Sequence, residues 1–146
     1  MDYQIGKPGR TILVLFRDGD DVLEGLVDIA RRENIRAASF ALVGGLKKGR
    51  FVVGPETEEM PPRPLWRALN ESHETLGFGT VFWQGETPRV HFHGAYGKRD
   101  DVQAGCLREG SEAFLVVEAV IWEILDVVAV REVDPASGMA LLKLRD

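Results

Sequence analysis

The chain has 146 residues, of which 45% are hydrophobic and 28% are charged, and its formal net charge is -5 at pH 7. This length suits one domain, residues 1–146, and leaves no room for a second independent core, while the composition excludes a disordered or fibrous chain. The acidic balance disfavours direct binding to nucleic acids, because that affinity depends mainly on Lys and Arg neutralising phosphates.

The amino-terminal part of the chain predicts a strand followed by one helix. Residues 10–16 form an apolar, β-branched run of strand length, bounded by turn-forming residues at 18–20. Asp20 or Asp21 can cap a helix, and apolar side chains recur from there at three- and four-residue spacing to about Ile35. The helix is therefore expected to present one apolar stripe to a sheet.

The remainder of the chain is rich in strand signals. Four prolines between residues 54 and 64 predict a surface loop there, because proline cannot donate to a strand ladder. The run 113–125 is ambiguous between strand and helix by periodicity, and its β-branched content favours a strand. The other predicted strands lie at 37–43, 48–53, 69–83, 89–96, 102–107, 127–132 and 139–144, with a break at Gly44-Gly45 and a final hairpin turn at 134–138.

One predicted strand carries the clearest candidate for chemistry, the sequence Val90-His91-Phe92-His93. Alternation along a strand places both imidazoles on one face and Phe92 on the other. Two neutral imidazoles at this spacing can bind one metal ion, and they can equally satisfy hydrogen bonds within a core. The remaining histidine, His73, has no comparable partner and is expected at the surface or in a hydrogen bond.

Cys106 is the chain's one cysteine, so it has no internal disulfide partner, which fits a reducing compartment. The loop predicted at 98–101 can fold it back towards His91 and His93, and a thiolate with imidazoles suits zinc or another borderline-soft transition ion. The alternative is that Cys106 is a small buried apolar residue. No basic-then-apolar leader is present and no apolar run reaches the roughly 20 residues of a membrane span, so the expected location is the cytoplasm.

These residues also carry a resemblance to a known family. The sequence His91-Phe92-His93-Gly94, followed by residues 104–110, resembles the signature of the plants-and-prokaryotes conserved (PPC) domain, in which an H-x-H strand precedes a G-G-H-L-x-x-G segment. Ala104 replaces the first glycine and Cys106 replaces the histidine. Because a thiolate also binds zinc, the change at Cys106 either preserves a metal site with an altered preference and pH dependence, or marks the loss of that site.

The resemblance covers nearly the whole chain and implies a compact α+β domain. It implies a mostly antiparallel sheet packed with one principal helix, and a homotrimer whose clefts between subunits can take a small-molecule ligand. It also places a glutamate that is common in the family at Glu118. A carboxylate within an apolar strand is costly unless it is paired, coordinated or facing water. Glu118 is therefore expected either to support or complete the coordination of the ion, or to lie open to solvent.

Three functions follow as hypotheses. The first is a homotrimeric domain that binds a transition metal, zinc foremost, or a small ligand through His91, His93 and Cys106; metal-assisted hydrolysis is compatible with it, but no nucleophile motif requires catalysis. The second is DNA binding, which proteins of the resembled family are often described as having, although this sequence has no Gly-Arg-Pro AT-hook core. The third is a protein-interaction scaffold that presents the proline-containing loop, with Trp66 either as its anchor or as a core residue.

Overall fold

A computed structural model describes residues 1–145, which form one α-helix and ten strands of a mostly antiparallel sheet. This architecture agrees with the α+β expectation. In chain order the elements are β1 (Lys7–Arg17), α1 (Val22–Arg32), β2 (Ala37–Leu46), β3 (Gly49–Pro55), β4 (Pro64–Leu69), β5 (His73–Gln84), β6 (Thr87–Lys98), β7 (Asp101–Glu109), β8 (Ala113–Leu125), β9 (Ala129–Val133) and β10 (Ala140–Leu144).

Helix α1 begins after Asp21, as predicted, and the carboxylate of Asp21 accepts a hydrogen bond of 3.1 Å from the backbone N–H of Glu24. It ends at Arg32, before the predicted end, and Asn34 beyond it takes the left-handed conformation (φ 51°) that commonly follows a helix. Within residues 1–145, no helix has the length and apolar character that spanning a membrane requires. The buried stripe of α1 consists of Val22, Leu26 and Ala30.

The sheet presents two faces with different surroundings, and its main strand order is β1-β8-β2-β5-β6-β7-β3-β4. The inner face packs with α1 and forms the hydrophobic core, whose largest fully buried side chains include Phe40, Phe51, Phe92 and Tyr96. The opposite face, here called the outer face, carries the alternate residues of the same strands. Its exposed apolar side chains include Leu13, Leu15, Val43, Leu76, Phe78, Val116 and Trp122.

Two predicted segments differ in the structure. The strand expected to break at Gly44-Gly45 continues, and the glycine pair instead forms a bulge in the pairing with β8. Gly44 has φ 145°, and a Cβ there would lie 2.3 Å from the carbonyl oxygen of Val116, so a side chain does not fit. The single strand expected at 69–83 is divided after Leu69, because β4 pairs with β3 whereas β5 pairs with β2 and β6.

The carboxy-terminal hairpin is confirmed as β9 and β10, which pair with each other in an antiparallel register. It joins the rest of the sheet through one parallel bridge between Val130 and Trp83, near the end of β5. This attachment brings Arg131 of β9 next to the side chains of Thr80 and Phe82 on β5. The hairpin therefore lies beside the part of the outer face that the candidate site occupies.

Candidate metal centre

Strand β6 places His91 and His93 on the outer face of the sheet. In the antiparallel register with β5, His91 pairs with Thr80 and His93 pairs with Phe78. Phe92 between them is fully buried on the inner face. Because a slip by one residue would turn the histidines into the core and Phe92 to solvent, the burial of Phe92 fixes the face on which the imidazoles lie.

Cys106, on the neighbouring strand β7, lies next to the two histidines. The β6–β7 register pairs Cys106 directly with His93, and the ligand atoms of His91, His93 and Cys106 all lie within 4.8 Å of one another. The Nε2 atoms of the two imidazoles are 3.1 Å apart, with their ring planes at 82°. The structure thus brings together the three side chains that the sequence analysis singled out.

The donor set has the chemistry and the spacing of a zinc site. Zinc lies about 2.0–2.3 Å from imidazole nitrogen and thiolate sulfur, so tetrahedral donors are separated by roughly 3.3–3.8 Å. The mutual distances of the three donors need only small side-chain rotations to match this geometry. Three protein donors leave the fourth position of a tetrahedral ion open, as in catalytic zinc sites and unlike closed structural ones.

The surroundings of the cluster favour different protonation states for its nitrogen and sulfur donors. Burial, reinforced by the positive charge of Arg131, lowers the pKa of His91 to about 4, so its imidazole is neutral and available to a metal at neutral pH. Burial raises the pKa of the Cys106 thiol, against the opposing effect of Arg108 and Arg131. In the absence of an ion, Cys106 therefore carries its proton at neutral pH and must lose it to become a ligand.

Zinc binding slightly above neutral pH is expected to release about one more proton per ion from the wild-type chain than from Cys106→His, whose imidazole donor is already largely neutral there. The extra proton is that of the Cys106 thiol, since His91 is already neutral and has none to give. Isothermal titration calorimetry in buffers of different ionisation enthalpy measures the number released. Equal release from the two proteins would show that Cys106 does not bind the ion as a thiolate.

Arg131 is a component of this site that the sequence analysis missed. It is only 9% exposed, and its Nη2 donates a hydrogen bond of 3.2 Å to Oγ1 of Thr80, the strand partner of His91. Its guanidinium also lies 6.0 Å from the centre of the Phe82 ring. The sequence offers little signal, since Arg131 lies between a valine and a glutamate in a short strand, and its role becomes apparent only when the position of the hairpin is known.

Arg108 contributes a second positive charge to the same region. It follows Cys106 by two residues on β7, at an irregularity in the pairing of β7 with β3, and its side chain is exposed. Its charge is near enough to oppose protonation of His91 and to favour ionisation of Cys106. Together with Arg131, it makes the surroundings of the cluster electropositive.

Glu118 is distant from the cluster within one chain. It lies exposed on β8, where it pairs with Leu15 of β1 and Val43 of β2. Strands β2 and β5 separate β8 from β6, and three strand spacings of about 4.8 Å amount to roughly 14 Å. A role for Glu118 at the ion therefore stays a prediction that requires a second copy of the chain.

Two other residues considered in the sequence analysis also lie outside the cluster. His73 begins β5, and its Nδ1 lies 2.7 Å from the carbonyl oxygen of Glu71, in agreement with a hydrogen-bonding role. Trp66 on β4 is half-buried, and the guanidinium of Arg50 stacks over its ring at 4.6 Å. The ring is thus partly covered by its own chain.

Comparisons with known proteins bear on the fold and on the family. A family model described as the Plants and Prokaryotes Conserved (PCC) domain matches residues 3–125, and no curated protein matches the chain. A plant- and prokaryote-conserved protein from Pyrococcus horikoshii has 26% sequence identity and a TM-score of 0.85, over 100% of this chain and 99% of that one.

Two further solved structures share the fold. A protein from Archaeoglobus fulgidus, described as metal-containing, has 20% identity and a TM-score of 0.83, with 97% of this chain and 98% of that one covered. A protein from Ralstonia eutropha, assigned provisionally to DNA binding, has 24% identity and a TM-score of 0.77, with 91% and 90% covered. At these identities, the likeness shows a common architecture alone.

Proposed function

Since the chain belongs to the Plants and Prokaryotes Conserved domain family, we propose that it is a homotrimeric member that binds a divalent transition metal, zinc foremost, through His91, His93 and Cys106. The observation that carries the proposal is the convergence of three donors, two imidazoles and one thiol, within 4.8 Å. The metal described for the similarly folded Archaeoglobus protein supports it. Zinc is favoured because a thiolate with imidazoles suits a borderline-soft ion better than magnesium or calcium.

The residues of the chain have separate tasks in this proposal. His91 supplies a neutral nitrogen donor, and Cys106 supplies a sulfur donor that becomes a thiolate when it binds. His93, which is paired with Cys106 across β6 and β7, supplies the second nitrogen donor. When bound, the ion supplies Lewis acidity at its open position, where it can polarise a ligand or activate water.

The outer face supports the homotrimeric part of the proposal. Leu13, Leu76 and Phe78 are 79%, 64% and 55% exposed, and they belong to one surface that runs across several strands. Apolar patches of this kind mark interaction surfaces, and copies of one chain can cover them in a closed ring. Glu118 lies within this surface, so its burial by another copy would require a partner for its carboxylate. In the proposed assembly, that partner is the N–H of a ligating imidazole at the metal centre of a neighbouring copy, so the open position of the ion stays free.

The metal content of protein purified without an affinity tag tests the proposal directly. We expect near-stoichiometric metal in the wild type, alone or after incubation with zinc and removal of the excess, and values close to background in His91→Ala, His93→Ala and Cys106→Ala. His73→Ala is the matched control, since it removes an imidazole outside the cluster, and it should retain the ion. Absence of bound metal from the wild type after exposure to zinc would refute the proposal.

DNA binding is the alternative function, and the Ralstonia protein with a similar fold is provisionally assigned to it. The tight basic segment at Lys47, Lys48 and Arg50 gives it little support here. Lys47 and Lys48 bind Glu112 at 3.0 and 2.8 Å, and Arg50 binds Glu109 at 2.6 Å, so these charges already have carboxylate partners. A salt-sensitive shift of a DNA probe at sub-micromolar protein would favour the alternative.

A further inference from the structure

The metal centre lies beside two guanidinium groups that have no carboxylate partners. Among residues 1–145, neither Arg108 nor Arg131 has an acidic group within salt-bridge distance. Arg131 is 9% exposed, and its Nε is buried without a hydrogen-bond partner. A buried cation without a counter-ion is costly, so its retention at this place calls for an anion.

The hydrogen bonds of Arg131 hold its guanidinium beside the cluster. Nη2 donates to Thr80 at 3.2 Å, and Nη1 donates to the carbonyl oxygen of Ala140 at 3.3 Å. Thr80 is the strand partner of His91, so the cation and the first imidazole lie over neighbouring strands of the same face. Arg108 lies two residues from Cys106 on β7, the strand on the other side of β6 from Thr80. Both cations therefore adjoin the donors rather than a remote part of the surface.

The charges at this place do not balance when an ion is bound. One thiolate neutralises only part of a divalent ion, and the two guanidinium groups add further positive charge. A carboxylate from Glu118 of a neighbouring copy would still leave an excess.

On the basis of the metal function proposed above, we infer that the open position at the ion takes a small oxyanion, a carboxylate or phosphate group, held by Arg131 and Arg108. A guanidinium offers several N–H donors in a fixed plane, which suits the oxygen atoms of both groups. A neutral ligand would leave the two cations uncompensated, and a cationic ligand would be repelled. The charge of the site therefore favours anionic ligands over neutral or cationic ones.

Anion binding to the zinc-loaded full chain tests the inference. Inorganic phosphate and acetate are titrated separately by calorimetry, and the visible spectrum of cobalt-substituted protein is recorded during the same titrations. Saturable binding of either anion is expected, with a change in the cobalt spectrum that places the anion on the ion. Binding of phosphate alone would identify a phosphate group as the ligand, and binding of acetate alone would identify a carboxylate.

Variants of the two arginines connect this binding to the proposed residues. Arg131→Met and Arg108→Gln should each lower the affinity for the anion by about 10-fold or more, as expected for the loss of a charge-assisted hydrogen bond. Arg32→Gln is the matched control, because it removes an exposed guanidinium from the end of α1, and it should leave the affinity unchanged. Thermal unfolding checks that Arg131→Met is folded. If that variant does not fold, Arg108→Gln alone tests the inference, because Arg108 is exposed and its replacement does not disturb the core.

The zinc content of each sample distinguishes failure of the proposed metal function from failure of the inference about the anion. A wild-type chain that takes up no zinc refutes the proposed function and the inference with it. A zinc-loaded chain that binds neither anion, or that binds them equally well in both arginine variants, overturns the inference alone and leaves the metal site intact.

Discussion

Replacement of Phe92 by alanine is expected to lower the free energy of unfolding by about 3–5 kcal/mol, the range for removal of a buried aromatic side chain. Phe92 is 0% exposed, and its ring stacks with Phe40 at a centroid distance of 5.8 Å. Gly77 and Gly79 on β5 leave the space that these rings occupy, since a Cβ at either would lie within 2.5 Å of a ring atom. Truncation of Phe92 therefore leaves a cavity that the neighbouring strand has no side chain to fill.

The same substitution is expected to weaken zinc binding, because Phe92 holds the flanking histidines on the outer face. Denaturant unfolding of the metal-free protein gives the stability, and a competition titration with a zinc indicator gives the affinity. Phe114→Ala is the control, since Phe114 is 40% exposed. This variant should lower the free energy of unfolding by less than about 1 kcal/mol. Equal losses in the two variants would contradict the central packing role of Phe92.

Introduction of a carboxylate at Leu76 is expected to convert the proposed homotrimer into single chains. Leu76 is 64% exposed on the outer face and lies between Val43 of β2 and Ala95 of β6. Leu76→Glu would therefore place a charge within an apolar contact, where it has to give up water without gaining a partner. The isolated chain should fold normally, because the side chain makes no part of its core.

Size-exclusion chromatography with light scattering measures the assembly. Met60→Glu is the matched control: it adds the same charge at an apolar residue that is 70% exposed in the loop between β3 and β4, and its assembly should be that of the wild type. The homotrimer would be excluded if the wild-type chain were a monomer. If Leu76→Glu kept the wild-type mass, the contact would lie elsewhere on the surface.

The residues of the cluster could be found from the sequence because local rules govern them. Alternation along one strand places His91 and His93 together whatever the remainder of the fold is. A short turn after β6 then requires an antiparallel neighbour, which brings Cys106 back towards them. The helix could be predicted equally well from the sequence, since Asp21 determines where it begins and the three- and four-residue spacing after it determines its apolar face.

The remainder of the site depends on contacts between residues distant in the sequence. Arg131 approaches His91 only because the last hairpin attaches to the end of β5 through a single parallel bridge, which no local pattern indicates. Glu118 belongs to an apolar strand whose place in the sheet, three strands from β6, was not apparent from its composition. The boundary after Leu69 in the strand expected at 69–83 likewise depends on distant partners, since β4 pairs with β3 whereas β5 pairs with β2 and β6.

Arg131 lies far along the chain from the residues that bind the metal, although it lies beside them in the structure. The three donor residues lie within the segment 3–125 that the family model matches, whereas Arg131 lies beyond it, on β9. Under the proposals made above, the residues that hold the ion and one of the residues that choose its ligand are thus encoded in separate lengths of sequence. Exchange of the last hairpin alone would therefore alter one side of the ligand's surroundings while leaving the three metal donors in place.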